Sequence, residues 1–168
     1  MSTIGYVSDD ETRFYSLIPK VHLHSHILGM VLPDTFIDLA QKYKVDIGKK
    51  DPCEVYRYYD FRRLVEILSA IASVIREEED FSRVLYEAIE YSYKTEHVLY
   101  SELFVQTTYH LLYGSGYRRI VDGFSDGIRR AERDFGVKTR LILGLNRQLP
   151  APIAAHIVRE AIAYPSEF

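Results

Sequence analysis

The chain alternates between short runs of apolar residues and longer segments in which apolar residues recur every three or four positions. The short runs predict three strands, LIPKVHLHSHI (17–27), VLYSELFV (98–105) and KTRLILGL (138–145). The longer segments have helical periodicity and predict helices at 31–45, 60–75, 80–89, 120–135 and 150–165. The order strand, helices, strand, helix, strand, helix indicates an α/β protein with parallel strands.

Residues at the ends of these segments support the predicted helix boundaries. Pro33 suits a first helical turn, and Asp60 and Asp80 are suited to cap the N-termini of the next two helices. Gly136 stands where the long fourth helix should end, which is a favoured place for glycine. The polar residues 1–15 are expected to form an arm or short helix, and residues 16–168 a single domain.

Composition excludes several classes of protein. The net charge of −3 and the absence of a basic block argue against a nucleic-acid partner. No stretch approaches the roughly 20 apolar residues of a membrane span. The single Cys53 cannot form an internal disulfide, and the acidic start MSTIGYVSDDETRFYS is unlike a secretion signal. We therefore expect a cytoplasmic protein.

The first predicted strand carries three histidines at alternate positions, His22, His24 and His26. Side chains two apart on a strand share a face, so these three are expected on one face and Val21, Leu23 and Ile27 on the other, against covering helices. Two imidazoles at this spacing can lean toward one metal ion. A bare His-x-His also arises by chance, and core or surface histidines are the alternative. The position just before Gly29, at the C-terminal end of a strand, favours the metal site.

Three segments together resemble the adenosine deaminase family. IPKVHLHSHILGMVLPDTFIDLAQKY is similar to the opening of that family, where a Pro-Lys-Val-Glu-Leu-His-x-His-Leu-Asp-Gly-like segment precedes a helix. VLYSELFV resembles the second strand of the family, and DGFSDGIRRAERDFGVKTRLILGLNRQ its third helix and strand. The resemblance covers roughly residues 16 to 168, and its first segment is the most specific.

The resemblance implies a TIM-type (β/α)8 barrel, of which the chain supplies about the first three β/α units. It also implies one zinc ion, with other divalent transition metals as alternatives. Zinc lowers the pKa of bound water toward about 7, and the resulting hydroxide displaces ammonia from a small-molecule aminopurine. By position, His24 and His26 match the metal ligands of the first strand. His26, Leu28 and Gly29 match positions beside the substrate, and the backbone at Gly29 is expected to turn closely past the pocket.

The chain departs from the family pattern at three positions. His22 replaces a frequent Glu, and we expect a buried, hydrogen-bonded side chain and not a ligand. Leu28 replaces a polar residue that contacts the sugar hydroxyl of the substrate, so adenosine is a doubtful substrate and another aminopurine fits as well. Phe104 replaces an Arg, which changes a buried polar contact, while the retained Glu102 is expected to be a structural carboxylate with a partner.

The other catalytic groups of the family, a third histidine, a glutamate acid/base and an aspartate, come from later strands. We therefore expect no catalytic acid/base in this chain, which we interpret as an N-terminal portion. It should be weakly active or inactive alone, and should self-associate through its exposed strand edges. The remaining histidines are poor substitutes: His97 lies at the wrong end of its strand, His110 in a following loop and His156 on a helix surface.

Two other functions remain open. One is another amidohydrolase-type metal-dependent hydrolase, since such enzymes also place His-x-His on a first strand. The other is a non-catalytic fragment that binds a partner, which the loss of the acidic residue at Leu28 favours.

Overall fold

The computed structural model describes residues 9–48, 51–147 and 149–165. Within these residues three strands form one parallel sheet in the order β1-β2-β3, which confirms the predicted α/β class. Their bounds are β1 Lys20–His26, β2 Val98–Val105 and β3 Lys138–Leu143. Residues 1–8 of the expected arm, two residues (49–50) of the loop after the first predicted helix, and the last three residues of the domain lie outside the described residues.

Helices follow each strand and form the layer that packs on the sheet. The helix α1 precedes β1 and occupies Asp9–Leu17. After β1 come α2 Ile27–Met30, α3 Pro33–Lys42, α4 Pro52–Val55, α5 Phe61–Val74 and α6 Glu78–Glu96. After β2 come α7 Thr107–Leu112 and α8 Tyr117–Phe135, and after β3 comes α9 Ala151–Ala163. Strands numbered consecutively and lying side by side, each followed by helices, are the arrangement of a partial (β/α) barrel.

The predicted helix ends are confirmed at three of four positions. Pro33 occupies the first turn of α3, the Asp60 carboxylate accepts a hydrogen bond from the Arg63 backbone N–H at 2.7 Å, and Gly136 ends α8 with φ of 73°. The prediction that Asp80 begins a helix was wrong. Glu77 is the N-cap of α6, and Asp80 lies inside its first turn as part of a capping box, where a carboxylate meets the same free backbone N–H groups.

The helix layer is closely packed where α8 crosses α6. A Cβ at Gly123 would stand 2.4 Å from the Glu78 carbonyl oxygen, and one at Gly127 would stand 2.6 Å from that of Ser82. Both positions therefore require glycine for the two helices to approach each other. This contact fixes the helices behind β2 and so holds the sheet from one side.

Helices cover one face of the sheet and leave the other face exposed. Along β2, Leu103 and Val105 are buried toward the helices, while Phe104 between them is only partly buried. On β1, Val21 is 56% exposed and Leu23 is 59% exposed. The prediction that these two side chains pack under helices was therefore wrong, although Ile27 is buried as expected. In the part of the chain that the structure describes, the face opposite the helices is open to solvent.

A shift in the register between β1 and β2 explains why the predicted alternation of side chains between the two faces of β1 was wrong. His22 lies opposite Ser101 and Ser25 lies opposite Leu103, so two β1 residues oppose one β2 residue between these pairs. An extra residue of this kind is a β-bulge, which changes the face on which the following side chains stand.

No helix among the described residues is long and apolar enough to cross a membrane.

Candidate functional site

His24 and His26 lie together at the C-terminal end of β1. Their ring centres are 5.4 Å apart, with a 53° angle between the ring planes. Both side chains are exposed on the open face of the sheet. The structure therefore brings these two imidazoles close together, and their convergence on one cation stays a prediction.

Phe104 packs directly against both rings. It lies opposite His26 in the register of β1 and β2, and its ring centre is 4.4 Å from that of His24 and 5.2 Å from that of His26. Stacking on both imidazoles limits their rotation. The expectation that Phe104 only alters a buried polar contact missed this role, because the contact depends on the strand register and not on the sequence of either strand.

Gln106 is the second contact that the sequence analysis missed. It immediately follows β2, and its side-chain amide forms a hydrogen bond with Nδ1 of His26. The only local signal was its position at the C-terminal end of a strand, where the side chains of neighbouring parallel strands meet. The bond engages one ring nitrogen of His26 and leaves Nε2 for another partner.

The spacing of the two rings fits a shared metal ion. Imidazoles bound to one tetrahedral zinc at a Zn–N distance of about 2.0–2.1 Å have ring centres about 5 Å apart, close to the observed 5.4 Å. Neutral imidazole is a suitable zinc ligand. Within the described residues, no group of three or more His, Cys, Asp or Glu side chains is arranged to hold a metal. His24 and His26 are thus two residues that could hold a metal.

His22 stands apart from the other two histidines. Its Nε2 is 3.2 Å from the Glu96 carboxylate of α6, so its ring turns toward the helix layer. The prediction that all three histidines share a face was wrong for His22, because the bulge that follows it places His24 and His26 differently. The side chain is 26% exposed and not buried as expected. Its Nδ1 is enclosed and has no hydrogen-bond partner within the described residues.

An open cleft of about 570 Å³ lies beside His26. Its polar groups include Gln106 and Ser25, and most of its wall is apolar, formed by Leu28, Met30, Phe61, Leu64, Val65, Leu68 and Tyr109. Such a cleft suits a flat, mostly apolar ring with few polar substituents.

Leu28 and Gly29 both line this cleft. Leu28 is 3% exposed and presents only methyl groups. The Gly29 backbone borders the cleft, and the expectation that it turns closely past a bound substrate stays a prediction. Gly29 lies within α2, and a Cβ added there would meet no atom within 4 Å of the described chain.

The remaining functional candidates lie away from His24 and His26. His97 ends α6 beside the start of β2, and its Nδ1 is 2.7 Å from the Leu17 carbonyl oxygen. His156 is exposed on α9, as predicted. His110 was expected in a loop, but it lies in the short helix α7 and is buried against Phe81. Glu102 has the expected partner, because it accepts a hydrogen bond from the Tyr100 hydroxyl at 2.9 Å.

Comparison of the sequence with known proteins identifies its relatives. The sequence profile of the family described as adenosine deaminase matches residues 19–167. An adenine deaminase of Aspergillus oryzae is 32% identical over 153 residues, which cover 86% of this chain and 43% of that protein. An adenine deaminase of Zymomonas mobilis is 30% identical, over 89% of this chain and 45% of that protein. The chain thus spans less than half the length of these relatives.

Solved structures show the same fold. A cog1816 amidohydrolase from Burkholderia ambifaria, with bound zinc, superposes with a TM-score of 0.89 at 27% identity, over 98% of this chain and 46% of that chain. An adenine deaminase from Arthrobacter aurescens superposes with a TM-score of 0.80 at 23% identity, over 88% of this chain and 46% of that chain. The chain therefore has the fold of about half of an amidohydrolase-type barrel. Because the profile of the adenosine deaminase family matches nearly the whole domain, the chain belongs to that family.

Proposed function

We propose that this protein acts in the zinc-dependent hydrolytic deamination of an adenosine-like aminopurine. The observation that carries the proposal is the pair of imidazoles, His24 and His26, whose ring centres are 5.4 Å apart at the end of β1. Membership of the adenosine deaminase family supports the reaction class. The zinc-containing amidohydrolase that shares the fold supports the choice of metal, and other divalent transition metals remain alternatives.

In this proposal His24 and His26 hold the metal, and Phe104 keeps their rings in place. When bound, the ion supplies an activated water for attack on the ring carbon that carries the amino group. His26 also borders the cleft, so it stands between the metal position and the substrate. Leu28 and Gly29 form the adjoining wall.

The cleft favours a purine base over a nucleoside. Leu28 presents a buried apolar surface and cannot accept a hydrogen bond from a sugar hydroxyl. A hydroxyl placed against it without a partner would lose free energy on binding. We therefore propose adenine, or a purine with a different substituent, as a better ligand than adenosine. Relatives named adenine deaminases support this choice.

We also propose that the 168-residue chain binds metal but does not turn over substrate alone. Catalytic zinc sites use three protein ligands and an open position, whereas the described residues bring two donors together. The exposed side chains of Val21 and Leu23 lie on the edge strand β1 and favour self-association. A cytoplasmic location fits the lone Cys53.

Zinc titration of the purified chain by calorimetry tests the metal site. We expect binding that the double substitution His24→Ala/His26→Ala abolishes. The matched control is His156→Ala, which removes an exposed histidine from α9 and should leave the affinity unchanged. Equal zinc affinity of the double variant and the wild type would remove the basis of the proposal.

A ligand panel tests the substrate class. NMR shift changes in the zinc-loaded chain are followed with adenine, adenosine, AMP and a cyclic amide, while ammonia release is measured in parallel. We expect adenine to shift resonances from the cleft residues more than adenosine, and no ammonia from the chain alone. A response to the cyclic amide but not to purines would favour the other amidohydrolase-type hydrolase. No response to any of the four, with zinc bound, would favour a non-catalytic fragment.

A further inference from the structure

We infer that Gln106 is a positioning residue for the metal ligand His26. Its side-chain amide holds the imidazole in the form that carries hydrogen on Nδ1 and offers the lone pair of Nε2 to the ion. The inference rests on the proposed metal site, because it assigns Gln106 a role in binding the same ion.

Gln106 and His26 lie at the ends of two neighbouring strands. Gln106 follows β2 directly, and His26 is the last residue of β1. Because these strands are parallel and paired, their ends lie side by side, and the Gln106 amide reaches Nδ1 of His26. This contact occupies Nδ1, so Nε2 is the ring nitrogen of His26 that Gln106 does not engage.

The tautomer decides whether Nε2 can bind metal. A neutral imidazole has one N–H and one lone pair. In the structure the amide nitrogen of Gln106 faces Nδ1, and a donor there requires the hydrogen to sit on Nε2, which would exclude an ion from that nitrogen. A half-turn of the amide exchanges its nitrogen and oxygen at the same place, and the oxygen then accepts from Nδ1–H. Metal-bound histidines commonly donate their second N–H to an oxygen in this way, so the turned amide is the arrangement that would leave the Nε2 lone pair for an ion.

Gly144 keeps Gln106 in position from the other side. Its backbone N–H donates to the Val105 carbonyl oxygen at 2.9 Å, which brings the end of β3 against the end of β2. A Cβ at Gly144 would stand 3.2 Å from the side-chain nitrogen of Gln106. The absence of a side chain there leaves the space that the Gln106 amide uses. The ends of all three strands therefore contribute to the orientation of His26.

Zinc titrations of the 168-residue chain test this role with three variants. Gln106→Leu removes both polar atoms of the amide, and Gln106→Glu keeps an acceptor but no donor. Gln41→Leu, an exposed position on α3, is the matched control. Loss of an outer-shell partner typically weakens metal binding by about 10- to 100-fold. We expect that loss for Gln106→Leu, recovery to at least the wild-type affinity for Gln106→Glu, and no change for Gln41→Leu.

A second measurement detects the hydrogen bond between Gln106 and His26 directly. In nitrogen-15 NMR spectra of the zinc-loaded chain, we expect a protected Nδ1–H signal from His26 in the wild type and in Gln106→Glu. In Gln106→Leu the signal should exchange rapidly with water. Wild-type affinity of Gln106→Leu, or failure of Gln106→Glu to restore binding and the signal, would overturn the inference. If His24→Ala/His26→Ala leaves zinc binding unchanged, the proposed metal site itself is wrong, which is a distinct result.

Discussion

His110 should make the stability of the fold depend on pH. Its side chain is 1% exposed, and its ring stands edge-on to Phe81 with the ring centres 4.9 Å apart. Nδ1 has no hydrogen-bond partner within the described chain. Burial disfavours the charged ring and lowers the pKa of His110 from 6.5 to about 4, although a bond to the Ala72 backbone opposes the shift.

The sign and size of the effect follow from that shift. Between pH 6.5 and about 4 the unfolded chain binds a proton at His110 that the folded chain does not. The contribution to stability is therefore complete above pH 6.5 and is lost as the pH falls toward 4. At about 1.4 kcal/mol per pKa unit, the loss amounts to about 3 kcal/mol, a large part of the roughly 5–15 kcal/mol that stabilises a typical domain.

Urea unfolding between pH 4.5 and 8.0, followed by circular dichroism, measures this loss. The comparison is between the wild type and His110→Gln, which cannot titrate, with His156→Gln on the exposed face of α9 as control. Lowering the pH from 7.5 to 4.5 should reduce the free energy of unfolding of the wild type by about 2–3 kcal/mol more than that of His110→Gln. His156→Gln should follow the wild type.

Parallel stability curves for the wild type and His110→Gln would refute the reasoning. Titration of the His110 ring by NMR provides the same test without a variant, in case His110→Gln fails to fold. A midpoint near 6.5 would show that the ring is hydrated, whereas a midpoint near 4 is expected from its burial.

Three further predictions, two of them with a control variant, test the packing and the site. Gly123→Ala places a Cβ 2.4 Å from the Glu78 carbonyl oxygen and should destabilise the fold by about 1–3 kcal/mol in urea unfolding. Gly29→Ala meets no atom within 4 Å and should not destabilise it. Asp60→Ala removes the N-cap of α5 and should cost about 1 kcal/mol in the same assay, whereas Asp60→Asn, another good cap, should cost little. Phe104→Ala frees both imidazole rings and should weaken zinc binding in calorimetry; unchanged affinity would show that stacking does not orient them.

The strands and the longer helices were predictable because each depends on local sequence. Apolar runs marked all three strands, and periodic apolar residues marked α3, α5, α6, α8 and α9. The short helices α4 and α7 were missed, since neither is long enough to show a helical period. His110 lies in α7, so the same omission placed a buried histidine in a loop.

The proximity of the two candidate metal ligands was predictable, but the residues around them were not. His24 and His26 are two apart on one strand, so their proximity is a local property. Phe104 and Gln106 lie about 80 residues further along the chain, and they reach the histidines only through the register between β1 and β2. These contacts depend on how the two strands pair, which cannot be read from the sequence of either strand alone.

The register shift after His22 also determines which ligands β1 can offer to the proposed metal site. It leaves His22 against Glu96, so β1 presents two imidazoles to that site and not three. The neighbouring strand ends present an amide at Gln106 and a bare backbone at Gly144, and neither is a usual zinc ligand. In the part of the chain that the structure describes, β2 and β3 therefore add no usual donor to the proposed site. If the proposal is correct, a catalytic zinc at His24 and His26 takes its third protein ligand from outside these three strand ends.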